Sequence, residues 1–352
     1  MTDLGRSGEI TPAELALATR NRGMPLEGMR HDVTPVGLHY LLVHFDIPAL
    51  DPERWRLWIT GAVEREVELD LDEIRSRPAK TVTATMECAG NGRARLEPRP
   101  ISQPWLNEAI GTARWTGAPL GELLAEVGIG DAVELVFTGA DHGIEGGEEL
   151  DYARSLPVGE ATRPSVLLAY KMNGRPLEPQ HGYPLRLLVP GWYGMTSVKW
   201  LTRIEAVTEP FRGFHQATAY HYKQSDDEPG EPVTRIRPRA LMIPPGFPDF
   251  PERRRYLDRG HVTVTGRAWS GLAPIERVEI GVDGEWHEAE LDEPIDEWAW
   301  CRWSWPWDAE PGEHLLACRA TDAGGESQPL EQPWNVQGLG NNLVQQVPVL
   351  VR

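Results

Sequence analysis

The stretch Thr85-Met86-Glu87-Cys88-Ala89-Gly90-Asn91-Gly92-Arg93 holds the residues best suited to chemistry. Val82, Ala84 and Met86 alternate with Thr83, Thr85 and Glu87, so Cys88 stands at a strand end. It then enters a glycine-rich loop beside an arginine. A neighbouring cation favours the thiolate, so this setting lowers a thiol pKa. A metal ligand, a nucleophile and an inert buried thiol all remain open for Cys88. Cys301 and Cys318 lack such surroundings and read as small hydrophobes. No C-x-x-C or H-x-x-x-H pair occurs, so a structural zinc site is not expected.

A second concentration runs through His181-Gly182-Tyr183-Pro184-Leu185-Arg186, Val189-Pro190-Gly191-Trp192-Tyr193-Gly194 and Ser197-Val198-Lys199-Trp200. A histidine and an arginine flank a short turn, and a glycine-rich loop and a lysine follow. Donors converging in this way suit a phosphate and a polar heterocycle. Neither a Walker A sequence nor G-x-G-x-x-G is present, which leaves a nucleotide reading little support.

The elements that must position these residues are short. Thr11, Pro12 and Glu14 combine a cap, a first-turn proline and a capping-box acid, predicting a helix to about Arg20. Asp70 to Ser76 predicts another short helix. Leu120, Leu123, Leu124 and Val127 have helical spacing, and Gly128 stops that helix. Strands are expected over 133–138, 165–170, 185–189 and 197–207, and Asn173-Gly174 is a hairpin signal. From Thr208 to Gly260 periodicity fades and Arg235, Arg237, Arg239 and Arg253-Arg254-Arg255 punctuate the text; these arginines read as partners for the chain's own carboxylates. From His261 onward short strands separated by turns predict an immunoglobulin-like sandwich. Trp303, Trp305 and Trp307 share one strand face, as core or interface. The division expected is a lead-in over 1–37, a catalytic domain over 38–212, a linker over 213–260 and a sandwich over 261–352. The fold class is α+β, predominantly β.

Composition narrows the function. The chain has 352 residues, room for two domains. Its formal net charge of −18 argues against nucleic acid or an anionic membrane as partner. Three cysteines make no disulfide framework. No apolar run approaches a membrane span, and the first residues hold neither a signal-peptide core nor a twin arginine, so a cytoplasmic location is expected. With 31 Pro, 35 Gly and 14 Trp, the chain is not built of long helices.

The cysteine stretch, Ala169-Tyr170-Lys171-Met172-Asn173-Gly174, the His181–Arg186 block and Ser197-Val198-Lys199-Trp200-Leu201 together resemble the sulfite oxidase family of molybdenum-cofactor enzymes. Trp298-Ala299-Trp300 and Pro333-Trp334-Asn335 resemble that family's dimerisation domain. The resemblance implies molybdopterin with molybdenum, Cys88 being the metal's thiolate. It implies that His44, Asp141, His181, Arg186, Ser197, Val198 and Lys199 hold the pterin. It makes Tyr170 the active-site tyrosine, Arg93 an anion-binding arginine and Trp105 a pocket tryptophan. A soft thiolate suits such a metal. No haem signature is present, so electrons are expected to pass to an external acceptor such as a cytochrome, and a homodimer is expected.

The departures bear on the substrate. Leu42 and Gln337 stand where family members often carry arginines. Oxidation of sulfite, a small anion, to sulfate is the expected activity. Reduction of an S-oxide or N-oxide is the enzymatic alternative. A cofactor-free binding protein with a β-sandwich interaction module is the alternative of another class, which the presence of Cys88, His181 and Arg186 opposes.

Overall fold

The computed structural model describes residues 10–352, so residues 1–9 of the lead-in lie outside the described residues. Helix α1 (Pro12–Arg20) starts as its sequence requires. The Thr11 hydroxyl accepts the Glu14 N–H at 3.2 Å, and the Glu14 carboxylate accepts the Thr11 N–H at 2.9 Å. That box satisfies donors which a helix start otherwise leaves unpaired. Glu14 is buried because Arg99 also pairs with it.

The first half of the chain forms two sheets. Its strands are β1 (Leu57–Gly61), β2 (Val67–Leu69), β3 (Lys80–Glu87), β4 (Ile110–Pro119), β5 (Glu134–Glu145), β6 (Glu148–Pro157), β7 (Leu167–Met172), β8 (Arg175–Pro176), β9 (Arg186–Leu188) and β10 (Leu201–Val207). One sheet runs β2-β1-β10-β5-β6; the other runs β3-β4-β7-β8, with β9 paired to β7. Helices are short. α2 (Leu71–Arg75) is capped by Asp70, and α3 (Leu120–Val127) buries Leu120, Leu123, Leu124 and Val127 against the first sheet. Each leucine buried this way contributes roughly 1.5–3 kcal/mol. The expected hairpin is present: Asn173 and Gly174 both take positive φ between β7 and β8. The strand expected over 197–207 begins only at Leu201, because 194–200 is drawn into an irregular loop around the site.

The second half is a two-sheet sandwich. One sheet orders Arg239–Met242, Gly260–Trp269, Cys301–Ala309 and Glu290–Leu291. The other orders Phe247–Pro248, Arg255–Leu257, Gln345–Val351, Gly312–Asp322, Ile275–Val282 and Glu285–Glu288. Met242, Val264, Trp303, Val278, Ile280, Cys318 and Val349 meet between them. Trp303 and Trp307 are core residues, Trp305 packs against that core half-buried, and Cys301 and Cys318 are buried thiols.

The segment 213–260, read from sequence as a linker, is substantially part of this sandwich. Arg239–Met242 pairs antiparallel with the Gly260 strand, and Arg255–Leu257 pairs parallel with the last strand. Its arginines find carboxylates: Arg235 meets Glu160 at 2.7 Å and Arg239 meets Glu87 at 2.8 Å. The two halves are joined through β3, where the Thr85 N–H donates to the Trp298 carbonyl at 2.9 Å and its hydroxyl accepts the Trp300 N–H at 2.8 Å. Among the described residues no helix is long and apolar enough to cross a membrane.

Candidate active site

Strand β3 delivers Cys88 to the junction of two adjoining cavities, both lined by Leu42, His44 and Cys88. The Cys88 N–H continues the sheet by donating to the Ala109 carbonyl at 2.9 Å. The loop after it turns tightly. The Arg93 guanidinium folds back over Gly90, where an added Cβ would lie 2.8 Å from its central carbon and push it aside. The sequence setting argues for a lowered thiol pKa, but burial outweighs Arg93 and raises it.

The first cavity gathers every residue expected to hold a pterin: His44, Asp141, His181, Arg186, Ser197, Val198 and Lys199. His181 closes a single 3₁₀ turn that ends at Gly182, whose φ is +101°. At Gly182 the chain passes so close to its neighbours that an added Cβ would lie 3.1 Å from that of Arg186 and 3.0 Å from that of Lys199. Arg186 is 5% exposed and spends its donors on the chain: Nη1 reaches the His181 carbonyl at 3.0 Å and Nη2 the Ser197 carbonyl at 2.9 Å. It therefore fastens two cavity walls together. The Ser197 hydroxyl accepts the Val189 N–H at 3.0 Å, and the Val198 carbonyl accepts the Leu187 N–H at 2.8 Å. Lys199 donates to the Leu42 and Gln180 carbonyls at 2.8 and 3.2 Å.

Two polar atoms in this cavity are buried without a partner: Asp141 Oδ1 and His181 Nε2. Burial raises the Asp141 pKa and lowers those of His181 and Lys199. His39, absent from the sequence expectation, adds a third orphan at Nε2 and meets the His181 ring edge-on at 5.7 Å. An unpaired polar group in the interior costs several kcal/mol unless a ligand completes it. The orphans are a carboxylate oxygen and neutral ring nitrogens, which match the N–H donors and acceptors of a reduced pterin.

The second cavity, about 470 Å³, is lined by Cys88 together with Arg93, Trp105, Tyr220 and Gln337. Arg93 donates from Nε to the Gln337 carbonyl at 2.8 Å. No carboxylate among the described residues pairs with it, which leaves its other N–H groups for an anion. The Tyr220 hydroxyl lies 2.7 Å from His44 Nε2. His44 also stacks on Tyr152 at 4.8 Å, and burial lowers its pKa to about 4. Much of the wall is apolar: Phe45, Ile101, Ile144, Phe214 and Val336. Leu42 and Gln337, noted in sequence as departures from the arginine pattern, both face this cavity.

Tyr170 is not brought here. It lies on β7 inside the hydrophobic core with Tyr152, Leu168 and Leu185, and lines neither cavity. Tyr220 lines the second cavity, and Tyr40 and Tyr152 line the first. The run Tyr220-His221-Tyr222, aromatic residues in a stretch with no core periodicity, is the signal that points to Tyr220.

Comparison with known proteins gives the family. Residues 44–215 match the oxidoreductase molybdopterin binding domain, and residues 251–352 the Mo-co oxidoreductase dimerisation domain. The sulfite oxidase of Gallus gallus is 34% identical over 342 residues, covering 87% of this chain and 71% of that protein. Nitrate reductase [NADH] 2 of Phaseolus vulgaris is 32% identical over 361 residues, covering 92% of this chain and 40% of that one. The crystal structure of the sulfane dehydrogenase SoxCD from Paracoccus pantotrophus superimposes with a TM-score of 0.79 at 25% identity, covering 98% of this chain and 91% of that chain. The chain belongs to the sulfite oxidase family of molybdopterin oxidoreductases. It spans 62% of the length of the mitochondrial sulfite oxidases of Mus musculus and Homo sapiens. The family's cofactor, molybdenum on molybdopterin, fits the orphaned donors and acceptors of the first cavity and the thiol at its edge.

Proposed function

We propose that the protein is a molybdenum oxidoreductase that oxidises sulfite to sulfate and passes the electrons to an external acceptor such as a cytochrome. The observation that carries this reading is the position of Cys88, shared between a cavity of orphaned polar atoms and a cavity holding an unpaired arginine. Molybdopterin, when bound, supplies a metal competent for oxygen-atom transfer. The protein's part is to hold and orient. Cys88 ligates the metal. Asp141 and His181 take up the pterin, with Arg186 and Lys199 fixing the walls behind them. Arg93 binds the anion through the N–H groups that Gln337 does not use. Burial raises the Tyr220 pKa, and His44 beside it is neutral, so Tyr220 presents an uncharged hydroxyl to a substrate oxygen.

A second reading, reduction of an S-oxide or N-oxide, is favoured by the same cavity. Leu42 contributes no charge, and the apolar wall of Phe45, Ile101, Ile144 and Phe214 suits an organic substituent better than a dianion. Sulfite-dependent reduction of ferricyanide separates the two. Turnover supports the first reading; turnover only with a sulfoxide or N-oxide and a reductant supports the second. X-ray absorption of Cys88→Ser protein tests the ligand assignment, and an unchanged molybdenum–sulfur signal would remove it. We further propose that the protein acts in the cytoplasm and that its C-terminal sandwich forms a homodimer, which light scattering at micromolar concentration tests.

A further inference from the structure

We infer that Gln337 is a positioning residue that sets Tyr220 at the mouth of the active site, so that this residue of the sandwich half tunes the chemistry of the catalytic half. The inference rests on the proposed role of Tyr220. It starts from the backbone of Tyr220, whose φ is +60°. That left-handed conformation is unfavourable for a bulky aromatic residue and persists only where its surroundings impose it.

Gln337 supplies that constraint. Its side-chain Oε1 accepts the Tyr220 N–H at 3.0 Å, and its Nε2 reaches the Thr218 carbonyl at 3.5 Å. On the other side of Tyr220, its carbonyl accepts the Val233 N–H at 2.9 Å. Thus held, the residue projects its hydroxyl to His44 at 2.7 Å. The main chain of Gln337 does a second, separable thing: its carbonyl fixes Arg93 Nε at 2.8 Å. The side chain controls the tyrosine while the backbone controls the anion-binding arginine. The loop that carries Gln337 is itself braced. Asn335 accepts the Leu339 N–H at 2.9 Å and donates to the Leu339 carbonyl at 2.8 Å. The amide is engaged with the 218–220 segment at the wall of the cavity.

Substitution separates these roles. Gln337→Met removes the acceptor for Tyr220 and keeps the carbonyl for Arg93. It should lower kcat by about tenfold, the rate equivalent of one hydrogen bond, and leave KM for the anion unchanged. Gln337→Glu keeps an acceptor oxygen, so it should restore kcat, while its charge beside the same cavity raises KM. In a Tyr220→Phe background Gln337→Met should cause no further loss, since the hydroxyl it positions is gone. An independent readout uses cofactor-free protein with carbon-13 ring-labelled tyrosine. The signal assigned to Tyr220 by its absence in Tyr220→Phe should move in Gln337→Met and return in Gln337→Glu. An equal kcat loss in the Tyr220→Phe background, or a Tyr220 signal indifferent to Gln337, would overturn the inference. Should sulfite turnover fail altogether, the proposed reaction falls, and the tyrosine signal still decides the role of Gln337.

Discussion

Arg239 Nε lies 2.8 Å from Glu87 Oε1, with both side chains 1% exposed, and this ion pair joins the sandwich to the residue immediately before Cys88. Glu87 is further satisfied by Trp269 Nε1 at 2.9 Å and Asn91 Nδ2 at 3.0 Å, and Arg239 also donates to the Asn341 carbonyl. Breaking such a pair from one side strands a buried charge, which costs about 3–5 kcal/mol. Arg239→Met should therefore destabilise the protein by about that amount, and adding Glu87→Gln should recover part of it. Denaturant unfolding of the cofactor-free variants measures both; an Arg239→Met midpoint equal to the parent's would mean that the pair is not buried as described.

Arg93 is the cation facing the larger cavity without a carboxylate partner among the described residues. Arg93→Met should raise KM for sulfite by roughly one to two decades, the equivalent of about 1.5–3 kcal/mol of charge-assisted bonding, with a smaller change in kcat. Leu42→Arg adds a cation to the same wall without disturbing Gln337, and should lower KM and steepen its dependence on salt. Steady-state kinetics over a range of ionic strength reads both effects. A Leu42→Arg enzyme with unaltered KM would argue that the substrate is not an anion.

Arg186 works as a brace, so its loss should loosen the cradle before it touches turnover. Arg186→Met frees the His181 and Ser197 carbonyls from their shared donor. Pterin content per chain should fall, while the fraction that retains cofactor keeps near-parental kcat. Fluorescence of oxidised pterin released from purified protein gives the content. Full content with abolished turnover would place Arg186 in substrate handling.

His39 gives a pH signature. It is 2% exposed, and burial lowers its pKa from 6.5 to about 4. Below pH 6.5 the unfolded chain takes up a proton that the folded chain refuses, so stability falls with pH until about pH 4 is reached. Asp141, whose pKa is raised, pulls the opposite way over part of this range, so the comparison must be differential. The stability of the parent minus that of His39→Gln should shrink by ~1.4 kcal/mol per pH unit below 6.5 and level off near 4. Urea titrations of cofactor-free protein at several pH values measure it; a constant difference would mean that His39 titrates normally.

Local signals were readable where one element carries the whole message. Thr11 with Glu14, Leu120 to Gly128, and the alternation leading to Cys88 each contain their own explanation, and the structure has those elements. The residues that the resemblance assigned to a pterin were legible as a set, since most of them fall in the His181–Arg186 and Ser197–Lys199 stretches, and one cavity gathers them with His44 and Asp141. What was hidden depends on contacts between distant segments. Tyr170 and Tyr220 look alike as sequence, and only packing tells that one fills the core while the other meets His44. The 213–260 segment showed no periodicity because its strands are short and its arginines satisfy carboxylates far away, as Arg235 does with Glu160. The orphaned nitrogen of His39 has no sequence signature at all, since neutrality and isolation are properties of a filled interior.

The loop after Cys88 offers main-chain carbonyls that the other half of the molecule takes up. The Gly340 N–H reaches the Ala89 carbonyl at 2.7 Å, and Asn341 Nδ2 reaches the Gly92 carbonyl at 2.8 Å, beside the grip of Gln337 on Arg93. In evolutionary terms the two halves cannot be shuffled as independent modules. A recombinant that kept 10–215 and took its sandwich from a distant relative would inherit the Cys88 loop with its stitching cut, unless the donor brought an equivalent of Gln337-Gly338-Leu339-Gly340-Asn341 in the same register. Descent in this lineage is therefore expected to pass both halves together, and substitutions near Cys88 to be tolerated only alongside matching changes some 250 residues later in the chain.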